Sequence, residues 1–267
     1  MLQILGIYLF AGALVGILAG MMGSGGAMIM VPFLHFTLAR QGVDASLIHH
    51  MAIATSMANI LFTSTMTTWA HHKRGVVPWK TVAWMVPGIL GGSFAGSYAT
   101  SFIPSEPLTL AFAFFLCYAS FQMFVDIKPK ASRHMPGIAG SIGLGAIIGV
   151  MSGILGIGGA AITIPILMVC GVPVLSAISS AGAFGFPIAV AGCAGYAISS
   201  FGHPGLPDYS LGYIYLPALA GLIPASMLTA SLGVKLSHTL PTVYVKRSLG
   251  AFLFLMALRM IHGALAG

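Results

Sequence analysis

The chain has 267 residues, of which 58% are hydrophobic and only 6% charged, with a formal net charge of +7 and a mean hydropathy of +0.99. A soluble domain carries roughly a quarter charged residues, so this composition cannot cover a water-facing surface. It excludes a soluble nucleic-acid binder despite the positive charge, and requires an integral membrane protein whose Lys and Arg residues mark helix ends.

Several apolar runs approach or exceed the roughly 20 residues that cross a bilayer as a helix, whereas a barrel would show short alternating strands. In chain order the first helix is expected over 2–22. It lacks the basic flank of a signal peptide and should be retained. A short helix with Pro32 follows over 27–38, too short to span unless it starts at mid-depth. A third helix over 48–70 is rich in hydroxyls, a fourth covers 82–102, and a fifth covers 108–125. After a polar linker the plan repeats with segments at 138–155, 160–170, 175–199, 211–232 and 248–265. The domain reading is a first transmembrane repeat over 1–126, a cytoplasmic linker over 127–137 and a second transmembrane repeat over 138–267, forming one integrated membrane domain. Pro32, Pro87, Pro165, Pro187 and Pro217 are candidate helix breaks or hinges.

The repeat is visible in one motif. GMMGSGGAMIMVP, from Gly20 to Pro32, returns as GILGIGGAAITIP, from Gly153 to Pro165. Gly20, Gly23, Gly25, Gly26 and Pro32 pair with Gly153, Gly156, Gly158, Gly159 and Pro165 at one offset of 133 residues. Each copy interrupts apolar sequence at the same place in its half, and glycine both weakens a helix and permits unusual backbone angles. Interrupted segments at matching positions of two halves point to the binding site of a repeat-built transporter.

Charge orients the halves. If all five segments of each half cross, matching loops face opposite sides and should carry opposite bias. The loop after the third segment holds Lys73, Arg74 and Lys80, while its counterpart over 201–211 has no Lys or Arg. Conversely 103–107 has none, while its counterpart over 234–247 has Lys235, Lys246 and Arg247. With both termini outside, nine Lys and Arg fall in cytoplasmic loops and Arg40 alone outside, as the positive-inside rule demands. Re-entrant hairpins at the glycine breaks would make the halves parallel and leave this asymmetry unexplained. The expected fold is therefore an all-α integral membrane protein of two inverted-topology repeats with five segments each. That gives 8–10 transmembrane helices, two of them short after the glycine-rich breaks.

In that arrangement the breaks face each other near the midplane, each presenting free N–H groups and the positive dipole end of a short helix, an anion site without a charged side chain. The expected substrate-binding set is Gly23, Ser24, Gly25 and Gly26 with Gly156, Gly158 and Gly159. Thr55, Ser56 and Asn59 on the third helix, and Ser179 and Ser180 at the matching place in the second half, complete it. The competing structural reading is that small residues only let helices pack closely and that the hydroxyls bond their own backbone. Arg259 lies within the last helix, aligned with Gln122, and should snorkel outward. His35, His49 and His50 are expected near the outer face and His71 and His72 near the inner one, mostly as interfacial residues. All four acids (Asp44, Glu106, Asp126, Asp208) fall in loops or at helix ends, which disfavours carboxylate-driven proton coupling. Trp69, Trp79 and Trp84 suit an interfacial belt. Cys117, Cys170 and Cys193 show no CxxC or Cys–His spacing. No catalytic residue, metal ligand or cofactor is expected.

The paired stretches GMMGSGGAMIMVPFL and GILGIGGAAITIPIL match G-x-x-G-x-G-G-x-x-x-x-P, and the chain resembles the TauE/SafE sulfite exporter family, also called TSUP, over essentially its whole length. The likeness includes the A-x-x-T-S start of the third helix. Departures are Ser24, where an apolar residue is common, and Ser180 standing at the Thr-Ser position of the second half. The resemblance implies a multi-pass protein of the bacterial inner membrane that transports sulfite, thiosulfate, sulfoacetate or another organosulfonate by alternating access. Its partners would be a small anion and the lipid bilayer, not nucleic acid, and a homodimer is left open. An anion channel is the alternative within transport, and an intramembrane enzyme the alternative from another class.

Overall fold

The computed structural model describes residues 2–22, 26–125, 135–201, 203, 205–236 and 242–266. Linker residues 126–134, with Lys128, Lys130 and Arg133, lie outside the described residues, as do Gly23, Ser24 and Gly25 of the first break. The described residues form ten α-helices and one short β-hairpin. The first half contains α1 (Leu2–Met22), α2 (Ala27–Arg40), α3 (Ala45–His72), α4 (Trp79–Thr100) and α5 (Ser105–Val125). The second contains α6 (Ile138–Leu155), α7 (Ala160–Val169), α8 (Val174–Ser199), β1 (Ser210–Leu211), β2 (Ile214–Tyr215), α9 (Leu216–Leu236) and α10 (Thr242–Ala266). Among the described residues five helices, α3, α5, α6, α8 and α9, are long and apolar enough to cross a membrane.

The elements differ from the expected ones mainly at their ends. α3 starts at Ala45 rather than residue 48, because the Asp44 carboxylate caps it by accepting from the Ser46 N–H at 2.8 Å. α9 starts at Leu216 rather than 211, since Ser210 and Leu211 pair with Tyr215 and Ile214 in the β-hairpin. Pro217 consequently falls in the first turn of α9, where its missing N–H costs nothing. The proline inside that helix is Pro224.

The halves exchange partners. The first helix of each packs against the fourth of the other, α1 on α9 and α6 on α4. The third helices α3 and α8 pack together, as do the fifth helices α5 and α10, while α2 lies on α3 and α7 on α8. Gly182 of α8 sits beside Thr67 and His71, and Gly192 beside Met57, so α3 and α8 run in opposite directions.

Glycine stripes set the closest approaches. A Cβ on Gly12, Gly16 or Gly20 would strike the carbonyls of Leu222, Ser226 or Ala230, and one on Gly88, Gly92 or Gly96 those of Ile142, Ala146 or Val150. Each series steps by one helical turn on both partners, so each pair runs parallel in backbone contact. Without a strong hydrophobic drive between helices in lipid, such packing is what holds them.

Polarity is correspondingly turned inward. Phe10, Phe114, Phe121, Leu228 and Leu255 project from the surface, while Thr55, Ser56, Asn59, Ser93, Ser152, Thr163 and Ser226 are buried. Helix α3 runs through the middle, which buries His49, His50 and His71, contrary to the interfacial expectation. His49 lies edge-on to His35 and Phe112, and His50 bonds the Thr100 carbonyl and packs on Tyr213. Arg259 is exposed, with its guanidinium 4.9 Å from the centre of the Phe36 ring.

The two ends of the molecule differ in charge. Arg74 donates to the Val234 carbonyl at 3.0 Å, joining the α3–α4 loop to the end of α9 and placing Lys73, Arg74 and Lys235 at one end. Lys73 and Lys80 stack on Trp69 and Trp84 there, and Trp79 donates to His72. At the other end Gln41 bonds Tyr8 and Tyr215.

Candidate functional site

The break between α6 and α7 is built by two left-handed glycines. Gly156 (φ 65°) ends α6 and Gly159 (φ 78°) caps α7, a conformation in which a side chain would be strained. Residues 155–160 are all buried, so irregular backbone lies inside the protein. In a bilayer that is tolerated only where its polar groups find partners or line a cavity.

The partners are unequally supplied. On the carbonyl side, Ser152 O accepts from the N–H of both Gly156 and Ile157, and Gly153 O accepts from the Tyr196 hydroxyl at 2.7 Å. Gly156 O accepts from the Ser56 hydroxyl of α3 at 3.3 Å. On the donor side, the Ile162 and Thr163 N–H groups both donate to Gly159 O, and the N–H groups of Ala160 and Ala161 at the very end of α7 have no intrahelical acceptor. Beside them are two fully buried hydroxyls without a hydrogen-bond partner, Ser152 Oγ and Thr163 Oγ1. They lie 3.1 and 3.4 Å from the point where a Gly159 side chain would begin.

Neither residue stands out in the sequence, where a lone Ser at a helix end and a Thr in a short apolar helix are unremarkable. The available signal was the repeat register, which sets Ala19 against Ser152 and Met30 against Thr163 in otherwise matching breaks.

The expected residues divide into three groups. Ser56 meets Gly156 directly, and Gly158 and Gly159 are buried in the same turn. Thr55 and Asn59 flank Ser56 on α3: the Thr55 hydroxyl accepts from Tyr215 N–H at 3.0 Å, and Asn59 Oδ1 accepts from Ser226 at 3.1 Å. Asn59 Nδ2 is buried with no partner. Ser179 and Ser180 are elsewhere. Ser179 donates to Val76 O and Ser176 O, and Ser180 to Ser176 O, at the start of α8, roughly 25 Å along the helix from Tyr196. Of the first break only Gly26 is described. It is buried in right-handed helical conformation against Val15 and Ala19 of α1.

Much of the hydroxyl wealth of α3 is local. Thr63, Ser64, Thr65 and Thr67 all donate to carbonyls three or four residues back, which satisfies a membrane-buried hydroxyl without a ligand. Among the described residues the acids Asp44, Glu106 and Asp208 are exposed, and no cluster of His, Cys, Asp or Glu could hold a metal ion.

A polar break between a membrane-length helix and the short helix α7, buried among apolar helices that exchange partners between halves, is the build of a polytopic helical membrane transporter. The chain belongs to the Sulfite exporter TauE/SafE family, whose sequence profile matches residues 8–260. It is 33% identical to a protein named "Probable membrane transporter protein" from Haemophilus influenzae, over 94% of this chain and 96% of the relative. Similar proteins from Methanocaldococcus jannaschii (MJ0441, 27% identical, 97% of this chain and 96% of the relative) and Bacillus subtilis (YdhB, 29%, 88% and 91%) bear the same description. No solved structure matches.

Proposed function

We propose that this transporter moves sulfite or a related small sulfur-containing anion, such as thiosulfate, sulfoacetate or another organosulfonate, across the bacterial inner membrane. The observation that carries the reading is the α6–α7 break, where the buried hydroxyls of Ser152 and Thr163 stand without a hydrogen-bond partner beside the N-terminal end of α7. Neutral donors at a helix N-terminus bind an oxyanion without holding it as a buried Lys would. The family's description supplies the sulfur chemistry.

Transport proceeds by alternating access, one helical bundle rocking against the other around the breaks. The basic end faces the cytoplasm and both termini face outside, by the positive-inside rule. An inside-negative potential drives anions outward, so export needs no coupling ion. The absence of a buried carboxylate among the described residues accords with that.

Flux of sulfite, thiosulfate and sulfoacetate into proteoliposomes, with and without a pH gradient, tests the reading. Saturable flux of at least one anion, unchanged by the gradient, is expected. Folded, correctly inserted protein that moves none of the three would overturn the sulfur-anion assignment.

A further inference from the structure

The two glycine breaks match in register but not in chemistry. Gly26 and Gly159 are repeat partners, as are Ala19 and Ser152, and Met30 and Thr163, each pair 133 residues apart. The packing keeps the first two pairs in step. The point where a Gly26 side chain would begin lies 3.0 Å from the methyl of Ala19, and the equivalent point at Gly159 lies 3.1 Å from the hydroxyl of Ser152. Around the second break the repeat therefore offers hydroxyls where the first offers a methyl and a thioether.

Thr68 Oγ1 and Ser210 Oγ, on half-buried residues, are also unpartnered, but among the fully buried described residues the hydroxyls of Ser152 and Thr163 stand apart. Thr63, Thr67, Ser97 and Thr100 each donate to their own helix, whereas Ser152 and Thr163 bond nothing although both are fully buried. Leaving a buried hydroxyl unsatisfied is costly, and here two are left so at one point. They converge on the N-terminal end of α7, a ten-residue helix. The sign of the missing partner follows from what is already bonded. The carbonyls of Ser152, Gly153 and Gly156 already accept from protein donors, so the groups at this point with bonding capacity to offer as donors are the two hydroxyls and the first N–H groups of α7.

We propose that the second break alone carries the primary anion site, with Ser152 Oγ and Thr163 Oγ1 as its side-chain ligands beside the first-turn N–H groups of α7. At the positions of the first half that match Ser152 and Thr163 stand Ala19 and Met30, which have no hydroxyl to offer. The ligand class is a small oxyanion with several acceptor oxygens on one centre, as in a sulfonate or sulfite head, since two hydroxyls and the helix end need more than one acceptor. The inference deepens the transport reading and rests on it for direction and cargo, but not for the existence of the site. In functional terms the transporter is asymmetric: one half binds, and the other provides the surface against which it moves.

The test is thermal stabilisation of the purified full-length protein by sulfite, thiosulfate, sulfoacetate, sulfate and phosphate, titrated one at a time. A ligand that binds only the folded state raises the melting temperature in proportion to its occupancy. The expected result is saturable stabilisation by at least one oxyanion. Its affinity should fall about tenfold in Ser152→Ala/Thr163→Val, two hydrogen bonds of ordinary strength being lost, and should be unchanged in Met30→Leu at the first break. Stabilisation by none of the five, native affinity in the folded double variant, or an equal loss in Met30→Leu would overturn the site. Stabilisation by phosphate alone would support the site while overturning the sulfur-anion assignment. Should the double variant fail to fold, Thr163→Val is set against Thr163→Ser. Weaker binding in the valine variant alone supports the proposal, and equal affinities overturn it.

Discussion

The Ser56 hydroxyl on α3 donates to the Gly156 carbonyl at 3.3 Å, tying the first half of the chain to the break of the second. Both groups are buried, and Gly156 also lies against Ile53 of the same helix. Ser56→Ala strands that carbonyl and should cost about 1–3 kcal/mol of stability, read as a lower melting temperature of the purified protein. An unchanged melting temperature would show that the contact does not brace the break.

Neighbouring glycines on α4 should behave oppositely. Gly92 is buried, and a Cβ there would strike the Ala146 carbonyl of α6, whereas Gly91 is exposed with open space around it. Gly92→Leu should abolish monodisperse protein on size-exclusion chromatography, because a rigid backbone contact cannot yield. Gly91→Leu should elute like the native chain. Equal behaviour would contradict the α4–α6 packing.

Asn59 separates stability from function. Its Oδ1 accepts from Ser226, but that hydroxyl also donates to Ile223 O at 3.1 Å and would stay satisfied without Asn59. The Nδ2 group is buried and unpartnered already. Asn59→Leu, close in shape, should therefore change stability by less than about 1 kcal/mol, while the maximal flux of the transported anion falls. Loss of folding with no specific effect on flux would assign Asn59 to structure.

The cap of α3 carries a pH dependence. The Ser46 hydroxyl and N–H hold the exposed Asp44 carboxyl below its ordinary value. A group depressed in the folded state contributes stability above its unfolded pKa and loses it as pH falls through the folded one. The melting temperature difference between native protein and Asp44→Ala should accordingly be constant near neutrality and shrink below the ordinary carboxylate range, approaching zero in stronger acid. A difference that grows with acidification would contradict the cap.

How much of this was legible in the sequence depends on what kind of information each feature needs. Helix positions follow from apolar runs of membrane length, so the bounds of α1 and α6 agree with those expected to the residue. The repeat was legible because its five glycine and proline positions keep one offset, and glycine's backbone freedom is a property of the residue itself. Burial of His49, His50 and His71 was not, because it depends on α3 being surrounded on all sides, which no local pattern records. Nor was the division of labour among hydroxyls. Thr63 and Ser152 look alike as letters, and only the three-dimensional partner list separates one that bonds its own helix from one that bonds nothing. The hydroxyl-rich look of α3 draws attention to Thr55 and Ser56, while the unpartnered Ser152 and Thr163 flank the second glycine break, where the repeat register was informative but quiet.

Counterflow tests the central claim most directly. Proteoliposomes are loaded with an excess of one unlabelled sulfur anion, and entry of the labelled anion is followed from outside. An alternating-access carrier with one oxyanion site should show saturable entry that is accelerated by anion on the far side, with both effects weakened in Ser152→Ala/Thr163→Val. Entry that rises linearly with concentration and ignores the internal anion would contradict the account, and describe a channel instead.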